Sequence, residues 1–219
     1  PSGDVRLAGG DDLVVGLPTE GVVDGGGGVD TLRIPANTTE EAYYSRPIVQ
    51  NVERLEFDPT AQPLDSTVLW LSTPLAVTQL EEVSGSPGHD LLRINLLPLN
   101  GSALLDLRST TFSNWNSLHG GDTLIVEAPF ARTVEVHAHP DVPMSYSGRA
   151  QATVFGSGHD DVIIGYVFND RLEGGDGWDR LDGGPGADFI DGGASLNDLA
   201  TYSNPHVSLP RPAQVYVDL

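Results

Sequence analysis

A tandem repeat of nine residues in the C-terminal third of the chain constrains its fold more than any other feature. Residues 174–182 and 183–191 stand in direct succession, and both follow the pattern G-G-x-G-x-D-x-U-x, in which U is a large aliphatic residue. Short tandem repeats of this kind are typical of solenoids, in which each unit buries its apolar residue only by stacking on the next. The sequence therefore predicts stacked coils over residues 155–193.

Three less complete copies flank these two repeats. Residues 156–163 fit all of the pattern but the first glycine, which makes Asp160 the motif acid. Residues 165–173 keep Asp170 and Leu172, and we interpret their turn as one residue longer. Residues 192–199 carry Asp198 and are also one residue longer. A strand alternates its faces every two residues, so we expect a thin core made by Val162, Leu172, Leu181, Ile190 and Leu199.

The same turn occurs outside this segment, with one full match at residues 25–33 that contains Asp30. Partial copies lie at residues 9–14, 85–92 and 120–125. Each joins a glycine-rich turn to an Asp and then to aliphatic residues, which indicates one structural rule along most of the chain. The predicted fold is all-β, a right-handed parallel β-roll or β-solenoid.

Four segments are expected. Residues 1–45 form a short N-terminal β-roll piece, and residues 46–150 form irregular solenoid coils, with a small β-sandwich as the alternative. Residues 151–200 form the main β-roll. Residues 201–219 begin a further coil that stops within a strand, and the unpaired edge of such a coil predicts end-to-end association.

These nonapeptides resemble the RTX family, the calcium-binding β-roll repeats of secreted bacterial proteins. The resemblance implies that two nonapeptides complete one coil, and that each ion lies between two stacked loops and takes one Asp from each. Carried onto this chain, the ions pair Asp160 with Asp179, Asp170 with Asp188, and Asp179 with Asp198, with one more near Asp30. Carbonyl ligands are then expected from Gly156, Gly158, Gly175, Gly177, Gly184, Gly186, Gly26 and Gly28.

The composition fits calcium and excludes several other partners. Calcium takes six to eight oxygen ligands, and an Asp with inward-turned glycine carbonyls supplies both kinds of oxygen. Because residues 156–198 hold nine Asp and one Glu against two Arg, we expect this part to fold only when calcium neutralises the stacked carboxylates. The net charge of −20 argues against nucleic acid. No apolar stretch is long enough to insert into a membrane.

A second set of metal-ligating side chains, Glu135, His137 and His139, alternates along a predicted strand and could bind a transition metal, although a solvated outer face is the favoured explanation. The chain has no Cys, and its motifs include no catalytic triad, zinc-protease or phosphate-loop pattern. We therefore expect these residues not to form an enzyme.

The predicted function is a calcium-dependent structural module of an extracellular bacterial protein, such as an adhesin, a surface layer or another extracellular assembly. Its expected partners are calcium, further copies of itself, other extracellular proteins or a polysaccharide. The alternative is the non-catalytic repeat region of a type I-secreted hydrolase or polysaccharide-modifying enzyme.

Overall fold

A computed structural model shows twenty-one β-strands and no helix among the residues it describes. Those residues are 3–18, 21–38, 48–63, 65–73, 80–96, 102–116, 121–128, 133–149, 151–194, 197–202 and 216–218. Within these ranges no segment has the length and hydropathy of a membrane-spanning helix.

Most strands are only three to five residues long, and a glycine-rich or proline-containing turn ends many of them. The first eleven are β1 (Val5–Arg6), β2 (Leu13–Val15), β3 (Val22–Asp24), β4 (Thr31–Ile34), β5 (Ile48–Gln50), β6 (Arg54–Phe57), β7 (Ser66–Thr73), β8 (Glu82–Ser84), β9 (His89–Leu96), β10 (Ser102–Asp106) and β11 (Thr111–Ser113). The others are β12 (Thr123–Ala128), β13 (Thr133–His137), β14 (Met144–Gly148), β15 (Gln151–Phe155), β16 (Val162–Ile164), β17 (Arg171–Glu173), β18 (Arg180–Asp182), β19 (Phe189–Asp191), β20 (Leu199–Thr201) and β21 (Tyr216–Asp218).

The chain divides into two compact units. The first comprises residues 1–95 and 109–124, the second residues 96–108 and 125–219. In the first unit, strands run in the order β1-β3-β5-β7-β9 in one sheet and β2-β4-β6-β8-β11 in the other. In the second, the orders are β12-β14-β16-β18-β20 and β10-β13-β15-β17-β19-β21. Successive strands thus alternate between two sheets, as a coil with one strand per side requires.

The pairing of the described strands is parallel wherever the register is defined. In the C-terminal repeats, Ile163 pairs with Leu181, and Leu172 pairs with Ile190. Both partners lie eighteen positions apart, which confirms that two nonapeptides complete one coil. The described strands of residues 46–150 are parallel too, whereas the strands of a β-sandwich are antiparallel. The all-β parallel β-roll predicted from the sequence is confirmed.

The core of each unit lies between its two sheets and is mostly aliphatic, with Phe57 and Tyr146 as its largest fully buried side chains. In the repeats it consists of Ile163, Leu172, Leu181 and Ile190, all fully buried. Two predicted core residues are wrong, because Val162 is 37% exposed and Leu199 is 54% exposed. Each lies one residue before the inward position, which Ile163 and Ala200 occupy in register with Leu181.

The turn at residues 165–173 was also assigned wrongly. This copy spans nine residues without an insertion, since Arg171 pairs with Phe189 and Thr153 pairs with Arg171 at the regular spacing. It departs from the pattern by carrying Tyr166 and Phe168 where the next two repeats have glycine.

Candidate metal-binding turns

We number the residues of each nonapeptide 1 to 9, so that position 6 is the motif acid and position 8 the inward aliphatic residue. Position 6 lies where the turn meets the strand, and its side chain folds back over the turn. The acids at this position are almost completely buried although they carry no basic partner in the turn: Asp30, Asp90, Asp161, Asp170, Asp179 and Asp188.

Stacked turns are linked by these acids. The backbone N–H of Asp161 donates to Oδ1 of Asp179 at 2.8 Å, and the N–H of Asp179 donates to Oδ1 of Asp198 at 3.0 Å. On the other edge of the coil, the N–H of Asp170 donates to Oδ1 of Asp188 at 2.9 Å. One carboxylate oxygen of each acid is therefore used to hold the preceding coil in place, and the second oxygen faces the turn.

Two of the three acid pairs expected from the sequence, Asp170 with Asp188 and Asp179 with Asp198, are in contact through these bonds. The third pair differs by one residue, since Asp161 and not Asp160 is in register with Asp179. Asp160 is exposed at position 5, and its Oδ1 accepts the N–H of Trp178 at 2.9 Å. Counting back eighteen residues from Asp179 gives Asp161, and that spacing was the signal that could have identified it.

The second carboxylate oxygen is where the turns fit a cation. Oδ2 is buried and has no hydrogen-bond donor in Asp30, Asp179, Asp188 and Asp198. A buried carboxylate oxygen without a donor or a cation costs free energy, since it has lost its water. Four such oxygens, all at the same position of the repeat, match the ligand type that calcium requires.

A carbonyl oxygen converges on the same place. A Cβ built on Gly174, at position 1, would lie 2.2 Å from Oδ2 of Asp179 and 2.8 Å from the carbonyl oxygen of Gly192 in the next coil. On Gly25 it would lie 2.5 Å from Oδ2 of Asp30 and 1.9 Å from the carbonyl oxygen of Asn51. Position 1 must therefore be glycine, and its missing side chain leaves a cradle bordered by two oxygens. The sequence did not indicate that the carbonyls of Gly192 and Asn51 border these cradles.

The glycines expected to supply carbonyls occupy the turns in two different ways. Positive φ angles, which favour glycine, occur at Gly26, Gly28, Gly175, Gly177 and Gly184 but not at Gly156, Gly158 or Gly186. A Cβ on Gly175 would lie 2.0 Å from the carbonyl oxygen of Ser157, and one on Gly186 would lie 1.9 Å from that of Phe168. The turns on either side thus stack too closely for a side chain on Gly175 or Gly186.

The acids of these turns are poorly solvated. Burial, with a smaller contribution from the neighbouring carboxylates of Asp161 and Asp198, raises the pKa of Asp179 to about 7. Burial likewise raises the pKa of Asp161 and of Asp188 to about 6. Removal of water is the main cause in each case, so a divalent cation at this position would compensate for it by stabilising the ionised carboxylates.

The N-terminal turn at residues 25–30 repeats this arrangement with one substitution. The N–H of Asp12 donates to Oδ1 of Asp30 at 2.9 Å, as in the C-terminal repeats. The N–H of Asp30 donates to Oε2 of Glu53 at 2.9 Å, so Glu53 takes the place that an Asp holds elsewhere. Sequence reasoning missed Glu53, because its coil is longer than eighteen residues and contains no glycine turn.

Glu135, His137 and His139 are not brought together as three ligands of one metal in the structure. Oε1 of Glu135 lies 2.7 Å from Nε2 of His137, whose ring stacks on Phe155 with centroids 4.6 Å apart. Nδ1 of His139 accepts the N–H of Asp141. No group of three or more His, Asp or Glu side chains suited to a metal occurs in the described part of the chain. The acid turns differ in kind, because they combine pairs of carboxylates with backbone carbonyls.

Comparison with known protein families gives one match. The model of the RTX calcium-binding nonapeptide repeat matches residues 155–190 in four copies. Neither the comparison with curated proteins nor that with solved structures gave a match. Together with the parallel pairing at eighteen-residue spacing and the buried acids, this match identifies residues 155–190 as four RTX calcium-binding nonapeptide repeats in a β-roll.

Proposed function

We propose that this chain is a calcium-dependent structural module of a secreted or cell-surface bacterial protein, such as an adhesin, a surface layer or another extracellular assembly. The observation that carries the proposal is the set of four buried Oδ2 atoms without donors, on Asp30, Asp179, Asp188 and Asp198. The RTX repeat is itself a calcium-binding structural unit and not a catalytic one. RTX repeats are typical of secreted bacterial proteins, which supports an extracellular location.

The sites follow from the stacked turns. We assign one ion to the turns of Asp179 and Asp198, which are a hydrogen-bonded pair, and one to the turn of Asp188, whose Oδ1 accepts the backbone N–H of Asp170. A third lies at the turn of Asp179, whose Oδ1 accepts the backbone N–H of Asp161. Carbonyls of the adjoining turns complete each set of ligands.

A fourth ion belongs to the N-terminal turn, where Asp30 and Glu53 are joined through the N–H of Asp30. This turn lies outside the residues that match the repeat family. The carbonyl of Asn51 borders the same cradle and fits the role of an additional oxygen ligand.

Calcium, when bound, supplies the positive charge that the buried carboxylates lack. The residues of the chain do the rest. Oδ1 of each acid holds the backbone of the preceding coil, glycines at positions 1, 2 and 4 allow the turns to approach, and position 8 side chains close the core. Because a thin core offsets little backbone entropy, folding and ion binding are coupled. Extracellular calcium modules bind in the range of about 0.1–1 mM, so we propose that the calcium-binding turns stay unfolded in a cytosol and fold outside.

A calcium titration followed by circular dichroism tests the proposal, with magnesium at the same concentrations as the control. We expect a cooperative gain of β-sheet signal at roughly 0.1–1 mM calcium and none with magnesium, which keeps its water and demands octahedral geometry. A spectrum that is the same in chelator and in calcium at about ten times this range would contradict the proposal.

The second candidate function is the repeat region of a type I-secreted hydrolase or polysaccharide-modifying enzyme, in which calcium-driven folding supports a separate catalytic domain. The RTX match supports both candidates equally. The sequence encoded beside these residues distinguishes them, since a catalytic motif favours the enzyme and further long repeats favour the surface protein. For the surface protein we also propose end-to-end self-association or contact with another extracellular protein or polysaccharide. Light scattering in millimolar calcium tests self-association, and a strict monomer would contradict it.

A further inference from the structure

The described acid turns fall into two classes according to what faces the second carboxylate oxygen. In the closed turns, which end at Asp90, Asp122, Asp161 and Asp170, a backbone N–H of the same turn donates to Oδ2. In the open turns, which end at Asp30, Asp179, Asp188 and Asp198, Oδ2 has no donor. Burial does not distinguish the classes, because Asp161 and Asp170 are as buried as Asp179 and Asp188.

The residue at position 2 separates the classes. In closed turns of regular length it is Ser86, Ser157 or Tyr166, whose N–H donates to Oδ2 of its own acid at 2.6, 2.5 and 3.1 Å. None of the three has a positive φ. The longer turn before Asp122 uses the N–H of Asn116 in the same way, at 2.6 Å.

In the open turns position 2 is always glycine with a positive φ: Gly26, Gly175, Gly184 and Gly193. The N–H of three of these glycines donates backward, to Oδ1 of the Asp two residues earlier, at 3.0–3.2 Å. That bond is a local Asp turn of the kind that competes for backbone donors. The position 2 amide is thereby removed from the acid at position 6.

We infer that the residue at position 2 decides whether a turn takes a cation, so that Gly-Gly turns bind calcium and closed turns hold their shape without it. When position 2 is not glycine, its φ is not positive and its N–H points at Oδ2. That N–H then occupies the place that the ion would take. When position 2 is a glycine with a positive φ, its N–H points away from Oδ2 and toward the acid two residues before it. Oδ2 then has no donor and is available to calcium. The inference rests on the proposed function and refines it, since each ion depends on the open turn of its pair and not on the closed one.

The consequence is a boundary inside the repeats. Residues 156–173 form one coil of two closed turns, and residues 174–191 form the next coil of two open turns. The closed coil presents a folded surface on which the open coil assembles when calcium binds. All four repeats that match the family therefore share a motif, and only the last two require the ion.

Asparagine substitutions test this with matched pairs on the same edges of the coil. Both oxygens of Asp161 accept an N–H, from Met144 and Ser157, so an amide group placed there faces a donor in either orientation. The Asp179 carboxylate accepts a single N–H, from Asp161. In Asp179→Asn the amide oxygen can still accept that N–H, while Nδ2 takes the place of Oδ2. Asp170→Asn and Asp188→Asn repeat the comparison on the second edge.

For the closed-turn variants Asp161→Asn and Asp170→Asn, we expect the full chain in chelator to melt roughly 3–10 °C lower than wild type. Their calcium-induced rise in melting temperature is retained. For Asp179→Asn and Asp188→Asn, we expect a melting temperature in chelator within about 2 °C of wild type or above it, and a calcium-induced rise at least halved. Calorimetric titration should show at least one ion fewer for each of these two variants.

Equal loss of the calcium-induced rise in Asp161→Asn and Asp179→Asn would overturn the inference while leaving the proposed function intact. A wild-type chain without any calcium-induced rise would overturn both. Hydrogen exchange gives a second measurement that does not depend on a variant folding. In chelator, the amides of Ser157 and Tyr166 should stay protected and those of residues 180–191 should exchange. Rapid exchange of both sets in chelator would also overturn the inference.

Discussion

Residues 156–173 and 174–191 form two successive coils with the same length, register and buried core, yet their acids are satisfied in opposite ways. The first coil uses its own backbone amides, and the second leaves two buried carboxylate oxygens without donors. The comparison shows that a shared fold does not imply a shared dependence on calcium. The difference depends on the backbone conformation at a single position of the repeat.

The largest effect we expect is that of removing calcium. An ion present at 100 times its dissociation constant stabilises the folded state by about 2.7 kcal/mol per site, and the described residues include four open turns. Chelation should therefore lower the melting temperature sharply and should remove hydrogen-exchange protection from residues 174–201 before residues 156–173. Differential scanning calorimetry in calcium and in chelator measures the first effect. A chelated protein that melts at the calcium-bound temperature would contradict the prediction.

The second effect concerns the core that both coils share. Leu181 is fully buried, in register with Ile163 and Ala200. Leu181→Ala should lower the free energy of unfolding by about 2–5 kcal/mol, since a cavity in a thin core has few neighbours that can fill it. Val162→Ala is the matched control, because Val162 faces outward and should cost about 0.5 kcal/mol. Urea unfolding in saturating calcium compares the two, and equal losses would show that the observed register is wrong.

A third experiment examines the cradle at position 1. Gly174→Ala places a methyl group against Oδ2 of Asp179, so calcium affinity should fall about 10-fold or more. Gly27→Ala is the control, since a Cβ there has no atom within 4 Å and its φ is not positive. That variant should bind calcium normally and be as stable as wild type. Calorimetric titration measures both, and unchanged affinity in Gly174→Ala would exclude the cradle as the ion site.

How far the sequence determined these sites depends on the turn. Asp170, Asp179, Asp188, Asp198 and Asp30 were identified from the sequence as motif acids, because glycine spacing fixes the register there. In the first repeat, Gly156 and Gly158 have the spacing of positions 2 and 4, which shifted the motif by one residue and selected Asp160 and Val162. The structure places these glycines at positions 1 and 3, and Ser157 and His159 at positions 2 and 4.

Other parts of the site had no local signal. Glu53 joins Asp30 across a coil of irregular length, and only the pairing of β4 with β6 brings them together. The cradle carbonyls of Gly192 and Asn51 belong to the following coil, so no pattern within one repeat indicates them. The division into open and closed turns depends on which backbone amide reaches Oδ2, and that requires coordinates.

A fourth prediction uses pH to separate charge from packing. The pKa of Asp179 in the folded chain is about 7, and that of Asp161 and of Asp188 about 6, all above the value of about 4 for an unfolded Asp. The folded state therefore binds more protons between pH 4 and 7, and stability in chelator must fall as pH rises through this window.

Acids with a lowered pKa, such as Asp106 at about 2, titrate below that window and do not reverse the trend. Calcium needs the ionised carboxylates, so the calcium-induced rise in melting temperature should be larger at pH 8 than at pH 5. Melting curves at both pH values, with and without chelator, measure this. Greater stability at pH 8 than at pH 5 in chelator would contradict it.

The smallest effect should come from Asp160→Asn, and its smallness separates the two readings of the first repeat. Asp160 is exposed and accepts one N–H, from Trp178, which an asparagine oxygen accepts equally well. We expect a change in unfolding free energy within about 0.5 kcal/mol and unchanged calcium binding. Asp161→Asn, one residue away, should lose stability in chelator because both of its oxygens hold backbone amides. If Asp160→Asn removed an ion instead, the acid at position 5 would be a ligand. The first repeat would then bind calcium and could not be a closed turn.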